Sequence, residues 1–501
     1  MAFNWQYLLN GFADALTPVN LLWAVVGCLI GTLVGVLPGI GPTSGIAILL
    51  PLTTMLPPTP AIIMMAAVYY GAMYGGSTTA IVANIPGEAS SVPTALDGFA
   101  LAKQGKAGSA LGIAAISSFV AGTLSLIGLT FFAPALASIA LDFGPPEYFA
   151  LMVLSLSLVV SLAQRSLLKG LVSAVLGLLV GTIGLDPVSG IPRLTFGLEP
   201  LMAGINFISV VIGLFAISEV MLNVEEKVAY IYETRIKNWL PTKEELKACW
   251  GAMLRSSGLG FFLGLLPGFS PSVVSFIIYD MERRVSKNGH RFGSGAIEAV
   301  AAVEGGNNAT SSGGLVPLLS FGIPSSAPLA VLMGGLMMYG LQPGPRLFDE
   351  NPAFVWAVIA SMYIGNVILL VLNLPLVGVW ARIAQIPFKV LGPVILISSI
   401  LGAYSVRYQM IDVWAAMVFG VIGYVFRKTG FPLAPMVLAT VLVQMLETSL
   451  KQSLILSGGS PAIFVTRPLS AAIILLACLL TARTLWTRFK GRPVLVGEET
   501  D

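Results

Sequence analysis

The sequence predicts an all-α polytopic membrane protein, with about 10–14 transmembrane or re-entrant helices in two inverted-topology repeats that contain broken helices. Three observations carry that prediction. Hydrophobic residues make up 56% of the 501-residue chain and charged residues only 10%, against roughly 25% charged in a soluble protein. A stretch that interrupts a membrane helix occurs twice, at a fixed offset. The loops beside the two copies differ in basic residues, as loops on opposite sides of a membrane do.

The first copy is GCLIGTLVGVLPGIGPTS, residues 27–44, in which Gly27, Gly31, Gly35 and Gly39 recur every fourth residue. On a helix this spacing makes one bare stripe that lets another backbone approach closely. Pro38-Gly39 and Gly41-Pro42 then break the helix inside an apolar region, where freed backbone groups survive only if buried in protein or lining a wet cavity. Ser256, Gly260, Gly264 and Gly268 repeat the stripe, and LLPGFSPS at 265–272 answers VLPGIGPT at 36–43, all at an offset of 229 residues. A second signature, Gly75-Gly76 leading to Ile85-Pro86, returns as Gly313-Gly314 leading to Ile323-Pro324 at an offset of 238. The extra residues are accounted for by DMERRVSKNGHR, 280–291, read as a charged loop between the signatures of the second copy.

In order along the chain, residues 1–18 are mildly amphipathic, with Trp5 and Tyr7 suited to a membrane interface. No basic n-region of a cleavable signal peptide precedes the first span, expected at 20–37. Residues 46–56 are too few to cross a bilayer at 1.5 Å per residue and read as a half-helix or the descending arm of a re-entrant segment. A long apolar segment, 61–85, ends in the small and polar run YGGSTTAIVANIPGEASS. A loop carrying Asp97, Lys103 and Lys106 is expected next, then spans near 110–132, 148–163, 168–185 and 204–222. After a hydrophilic connector, spans resume near 250–266, 353–374, 391–404, 410–426, 431–446 and 468–487. This divides the chain into a first repeat (1–222, motifs 27–53 and 74–91), a charged connector (223–249), a second repeat (250–450, motifs 256–280 and 305–336) and a C-terminal helix with a basic tail (451–501). Arg483, Arg488, Lys490 and Arg492 place that tail in the cytoplasm by the positive-inside rule. The loop between the signatures lacks Lys and Arg in the first copy but carries Arg283, Arg284, Lys287 and Arg291 in the second. Equivalent loops thus favour opposite sides, as in secondary transporters whose substrate site lies between inverted repeats.

Several classes lose support. A net charge of +3 without a basic stripe argues against nucleic-acid binding. Cys28, Cys249 and Cys478 have no metal-ligand spacing and read as packed or idle thiols. The lone histidine, His290, lies in the charged loop and reads as ordinary surface. No H-E-x-x-H, G-x-S-x-G or Walker A pattern occurs, so the chain is not read as an enzyme.

The candidate chemistry sits at the breaks. Pro42-Thr43-Ser44, Pro86-Gly87, Pro271-Ser272 and Pro324-Ser325-Ser326 each place a proline at an expected helix start, followed by small or hydroxyl residues. Free N–H groups, the positive end of a helix dipole and nearby hydroxyls suit an anion such as a carboxylate; the same residues also serve simply to cap broken helices. Ser77, Thr78 and Thr79 before Asn84, and Asn307-Asn308 within GGNNATSSGG, need polar partners in an apolar setting, either neighbouring helices or a ligand. Candidate substrate contacts are therefore Thr43, Ser44, Thr78, Thr79, Asn84, Gly87, Ser272, Asn307, Asn308, Ser325 and Ser326. Glu88 and Glu304, with the backbone carbonyls at Gly39 and Gly268, are candidate cation ligands. No cofactor is expected beyond Na⁺ as a candidate coupling ion.

Five stretches then carry a resemblance: GVLPGIGPTSGIAILLPLT (35–53), GGSTTAIVANIPGE (75–88), KQGKAGSALGIAAISSF (103–119), FGSGAIEAVAAVEGGNNAT (292–310) and LLSFGIPSSAPLAVLMGGL (318–336). Together they resemble the large membrane subunit of the tripartite tricarboxylate transporters, the TctA family, over essentially the whole chain. The resemblance implies a symporter of the bacterial inner membrane that works with a small four-helix membrane subunit and a periplasmic substrate-binding protein. It implies tricarboxylates such as citrate, or related organic carboxylates, as substrates, driven by a Na⁺ or H⁺ gradient. The family's signature residues fall on Pro38 to Ser44, Asn84 to Gly87, Asn307, Asn308 and Gly322 to Ser326. Val303-Glu304-Gly305-Gly306 departs from the family pattern, which has a proline before the glutamate and alanines after it. The expected mechanism is an elevator-like or rocking movement of the paired broken helices against the remaining spans; the rivals are a passive organic-anion channel and an intramembrane enzyme.

Overall fold

A computed structural model describes residues 5–37, 39–161, 166–225, 240–383 and 388–489. Pro38, the middle of the connector at 226–239 and the tail from 490 onward lie outside the described residues. The chain is helical almost throughout. Among the described residues eight helices are long and apolar enough to span a membrane, and four shorter apolar ones accompany them.

The first half runs α1 (Trp5–Ala15), α2 (Pro18–Val36), α3 (Gly41–Thr53), α4 (Pro58–Ala83), α5 (Val92–Lys103), α6 (Ala107–Ala140), α7 (Pro145–Ser161) and α8 (Leu167–Gly181). After a two-stranded hairpin, β1 (Gly184–Leu185) against β2 (Pro192–Arg193), come α9 (Phe207–Val211), a π-helical turn at Ile212–Ile217 and α10 (Ser218–Glu225). The second half runs α11 (Lys243–Gly264), α12 (Pro271–Val285), α13 (Ile297–Gly313), α14 (Leu315–Phe321), α15 (Ala327–Met338), α16 (Pro345–Glu350) and α17 (Pro352–Asn373). It ends with α18 (Val377–Ile383), α19 (Phe388–Arg407), α20 (Met410–Thr429), α21 (Leu433–Leu456), α22 (Ile463–Thr466) and α23 (Pro468–Phe489).

The glycine stripes do what their spacing predicts. A Cβ on Gly31 would lie 2.7 Å from the Val68 carbonyl oxygen and one on Gly35 2.2 Å from that of Ala72, so α2 lies directly on the α4 backbone. In the second half a Cβ on Gly260 or Gly264 would lie 2.6 Å from the carbonyl oxygen of Gly306 or Thr310, which puts α11 on α13 in the same way. Lipid offers no hydrophobic driving force between helices, so this backbone approach is itself the source of attraction. Each pair is then covered by a long helix of the other half, α17 on α2 and α4, and α6 on α11 and α13.

Two loop expectations are corrected. Asp97 is fully buried inside α5, because its carboxylate receives backbone N–H groups from the entry to α13. Residues 280–285 of the expected charged loop are the last turns of α12, where buried Glu282 is held by Arg255 of α11 at 3.0 Å. The hydrophilic connector is helical from Lys243 onward, with Thr242 and Glu245 forming a capping box. As expected, Cys28 and Cys249 are buried and His290 is exposed.

Candidate functional site: a cavity at the helix breaks

Four interruptions of the chain meet at one cavity of about 800 Å³. The first break contributes residues 39–44, the exit from α4 residues 86–89, the second break Gly268 and residues 270–273, and the entry to α15 residues 325–328. Gly39 and Gly268 occupy equivalent places and hold the same left-handed turn, φ +88° and +87°, which side-chain-bearing residues seldom adopt. The Gly268 N–H donates to the Ser325 carbonyl at 3.0 Å, tying the second break to the segment before α15. Gly87 sits where a Cβ would lie 1.9 Å from the Gly35 carbonyl oxygen, so only glycine lets this strand of backbone pass α2.

The first residues of four helices, Gly41 of α3, Val92 of α5, Pro271 of α12 and Ala327 of α15, all line the cavity. Each helix start carries N–H groups without an intrahelical partner and the positive end of a dipole. Converging there, they make a cavity fit for a negative charge. Thr43, Ser44, Ser272, Ser325 and Ser326 add hydroxyls to its wall.

The prolines of the second signature do not start helices. Pro86 and Pro324 lie in segments outside the α-helices, and the helices begin later, at Val92 and Ala327, with Pro93 and Pro328 in their first turns. The reason is local: Asn84 (φ 57°) and Gly322 (φ 72°) end α4 and α14 in left-handed turns, and a residue before proline is pushed out of the helical region. Asn84 is accordingly an exposed helix end and lies outside the cavity lining. Glu88 is buried in that wall, takes a hydrogen bond from the Ser90 hydroxyl and precedes a 3₁₀ turn, not an α-helix.

Thr78, Thr79, Asn307, Asn308 and Glu304 are buried behind the wall rather than in it. Glu304 accepts from the Thr94 hydroxyl and from Asn307 Nδ2 at 3.3 Å. Asn308 Nδ2 donates to Asn307 Oδ1 at 2.6 Å and to the Glu304 carbonyl at 3.0 Å. The amides thus find partners within α13, in one another and in Glu304, and the Thr94 hydroxyl ties Glu304 to α5. The departure at 303–306 leaves α13 unbroken, since no proline interrupts it.

An ion pair also lines the cavity, and the motif reading passed over it. Arg427, in the last turn of α20, is bound to Glu219 of α10, beside Phe215 of the π-helical turn. Glu219 carried a usable signal, an ionisable residue inside an apolar span. Arg427 did not, because a basic residue ending a membrane helix is ordinary.

Eight helices long and apolar enough to span a membrane, with four helix starts at a shared cavity, define a polytopic helical membrane protein. The chain belongs to the tripartite tricarboxylate transporter TctA family, whose model matches residues 21–438. It is 44% identical over 492 residues, 98% of both chains, to an Agrobacterium vitis protein described as an uncharacterized 52.8 kDa protein in the TAR-I ttuC' 3'region. It is also 40% identical over 242 residues, 48% of this chain and 100% of the other, to an Agrobacterium vitis protein described as an uncharacterized protein in the TAR-II ttuC' 3'region. No solved structure matches. The chain is a multi-pass membrane protein of a transporter family.

Proposed function

We propose that the chain is the large permease subunit of a tripartite system that imports tricarboxylates or related organic carboxylates across the bacterial inner membrane, driven by a Na⁺ or H⁺ gradient. The observation that carries the reading is the convergence of four helix starts on one cavity of about 800 Å³, a size within the range that takes small organic ligands. In this reading Thr43, Ser44, Gly87, Ser272, Ser325 and Ser326 hold the carboxylates with neighbouring N–H groups. Asn307, Asn308, Thr78, Thr79 and Glu304 set the shape of the wall from behind. Glu88, Glu304 and the turns at Gly39 and Gly268 remain the candidate cation ligands. Two inverted repeats move their paired broken helices against the scaffold of remaining spans, and the carboxyl terminus is cytoplasmic. A small four-helix membrane subunit and a periplasmic binding protein complete the system, the latter screening substrate first.

The test is uptake of labelled citrate, succinate and benzoate by membrane vesicles holding the chain with its two partner subunits. Uptake should require an imposed Na⁺ or H⁺ gradient and stop when the gradient is collapsed. Ser325→Ala should reduce it while the protein still reaches the membrane. Equilibration of the anions without any gradient would instead mark a passive channel, and covalent turnover of a probe an enzyme.

A further inference from the structure

We propose that Arg427 is the cavity's anion receiver, held by Glu219 until an organic carboxylate takes it over, and that Glu219, once released, draws in the coupling cation. This rests on the carboxylate reading above and names the residues through which substrate and cation would be linked.

Among the described lining residues Arg427 is the one basic side chain. It keeps 28% of its side chain exposed, whereas Glu219, its partner, keeps 10%. The guanidinium is therefore the reachable member of the pair and the carboxylate the buried one. A guanidinium stays charged and presents a planar fork that fits any carboxylate, so an incoming substrate replaces the Glu219 carboxylate like for like. Glu219 then loses a buried ion-pair contact, and removing one member of such a pair is strongly unfavourable for the other. Its surroundings suit a cation. Asn223 Nδ2 donates to Glu219 Oε1 at 2.9 Å, and the first break lies close against both residues: a Cβ on Gly39 would lie 2.9 Å from Glu219 Oε1 and 2.8 Å from Asn223 Nδ2. A proton or a sodium ion arriving at Glu219 restores neutrality beside the turn whose geometry forms part of the cavity. Anion binding thereby favours cation binding, and by linkage the reverse holds equally.

The exchange makes a prediction that a merely structural ion pair does not: the two partners affect anion affinity in opposite directions. The measurement is calorimetric titration of citrate, succinate and benzoate into the purified full-length chain in lipid nanodiscs. Titrations in NaCl and in choline chloride at fixed pH, and at two pH values in choline chloride, separate Na⁺ from H⁺ as the cation. Glu219→Gln removes the competitor and should tighten binding about tenfold, the scale of one charge-assisted hydrogen bond, while abolishing the cation dependence. Arg427→Gln should weaken binding at least about tenfold, with Arg427→Lys between it and the parent, and the double variant Glu219→Gln/Arg427→Gln should match Arg427→Gln. Arg427→Lys keeps the charge, so a folding defect in Arg427→Gln does not decide the outcome. Loss of affinity in both Glu219→Gln and Arg427→Lys, unchanged affinity in both, or a cation dependence that survives Glu219→Gln overturns the exchange. If the unaltered chain binds none of the three anions, the carboxylate reading itself fails and the inference with it.

Discussion

The carboxylate of Asp97, on α5, accepts the backbone N–H of Ala296 at 2.7 Å, across 199 residues of chain. It also accepts from Gly295 N–H at 2.8 Å, Gly293 N–H at 3.0 Å and the Tyr279 hydroxyl at 2.9 Å. One fully buried side chain of the first half thus holds three backbone N–H groups of the segment that leads into α13, the helix that carries Glu304, Asn307 and Asn308. Asp97→Ala strands those donors in a buried setting. The expected loss is about 3 kcal/mol or more, read as a lower thermal unfolding midpoint of the purified protein. Asp97→Asn, which keeps one acceptor oxygen, should lose less.

The glycine stripe allows a sharper comparison within one helix. On α11 a Cβ at Gly264 would lie 2.6 Å from the Thr310 carbonyl oxygen, whereas one at Gly258 meets nothing within 4 Å. Gly264→Ala should therefore push α11 off α13 and cost about 1–3 kcal/mol. Gly258→Ala should be neutral or gain up to about 1 kcal/mol by raising helix propensity. Thermal unfolding of the two variants side by side gives the answer, and equal effects would mean that backbone approach is not what holds the pair.

The hairpin between α8 and α9 supplies a pH prediction. The Lys451 ammonium, then the backbone N–H groups of Ser189 and Val188, hold the Asp186 carboxyl well below the usual carboxylate range. Arg193 adds a contact at 3.3 Å to Asp186 Oδ2, the oxygen that Lys451 holds, and reaches Glu447 at 3.0 Å. A carboxyl whose folded pKa is lowered contributes stability that is fully present above its unfolded value, about 3.9. That contribution is lost as pH falls through the lowered folded value. The hairpin amides of Asp186 and Gly190, bonded to Ile191 and Asp186 carbonyls, should keep their hydrogen-exchange protection from neutral pH down to about 4 and lose it in stronger acid. In Asp186→Asn that step should vanish and protection should be lower throughout.

Much of this architecture was legible because membrane helices write themselves plainly into sequence. The expected spans at 353–374 and 410–426 became Pro352–Asn373 and Met410–Thr429, since a long apolar run has few alternatives in a bilayer. The glycine stripes and the two breaks were legible for a related reason: Gly39 and Gly268 adopt a turn that few other residues tolerate. What escaped was whatever depends on distant parts meeting. Asp97 reads as a loop charge until the start of α13 is placed over it. That Asn307 Nδ2 meets the Glu304 carboxylate, itself held by Thr94 from α5, is likewise visible only once the helices are placed. Arg427 belongs to the cavity only because α20 packs on α10, a relation no local pattern records.

The sidedness of the two halves gives the last test. Residues 54–57 join α3 to α4, and residues 286–296 join α12 to α13, so they are equivalent connections in the two copies. Met55 is 81% exposed in the first, and Lys287 is exposed in the second; neither therefore depends on unfolding to react with a thiol reagent. In a chain with Cys28, Cys249 and Cys478 replaced, Met55→Cys and Lys287→Cys should label from opposite sides of the membrane. A membrane-impermeant maleimide applied to intact spheroplasts should reach Met55→Cys, on the side without basic loops, and leave Lys287→Cys untouched until the cells are opened. Labelling of both from the same side would make the repeats parallel. The two broken helices would then enter the cavity from one face, and rocking about a shared midplane would lose its geometric basis.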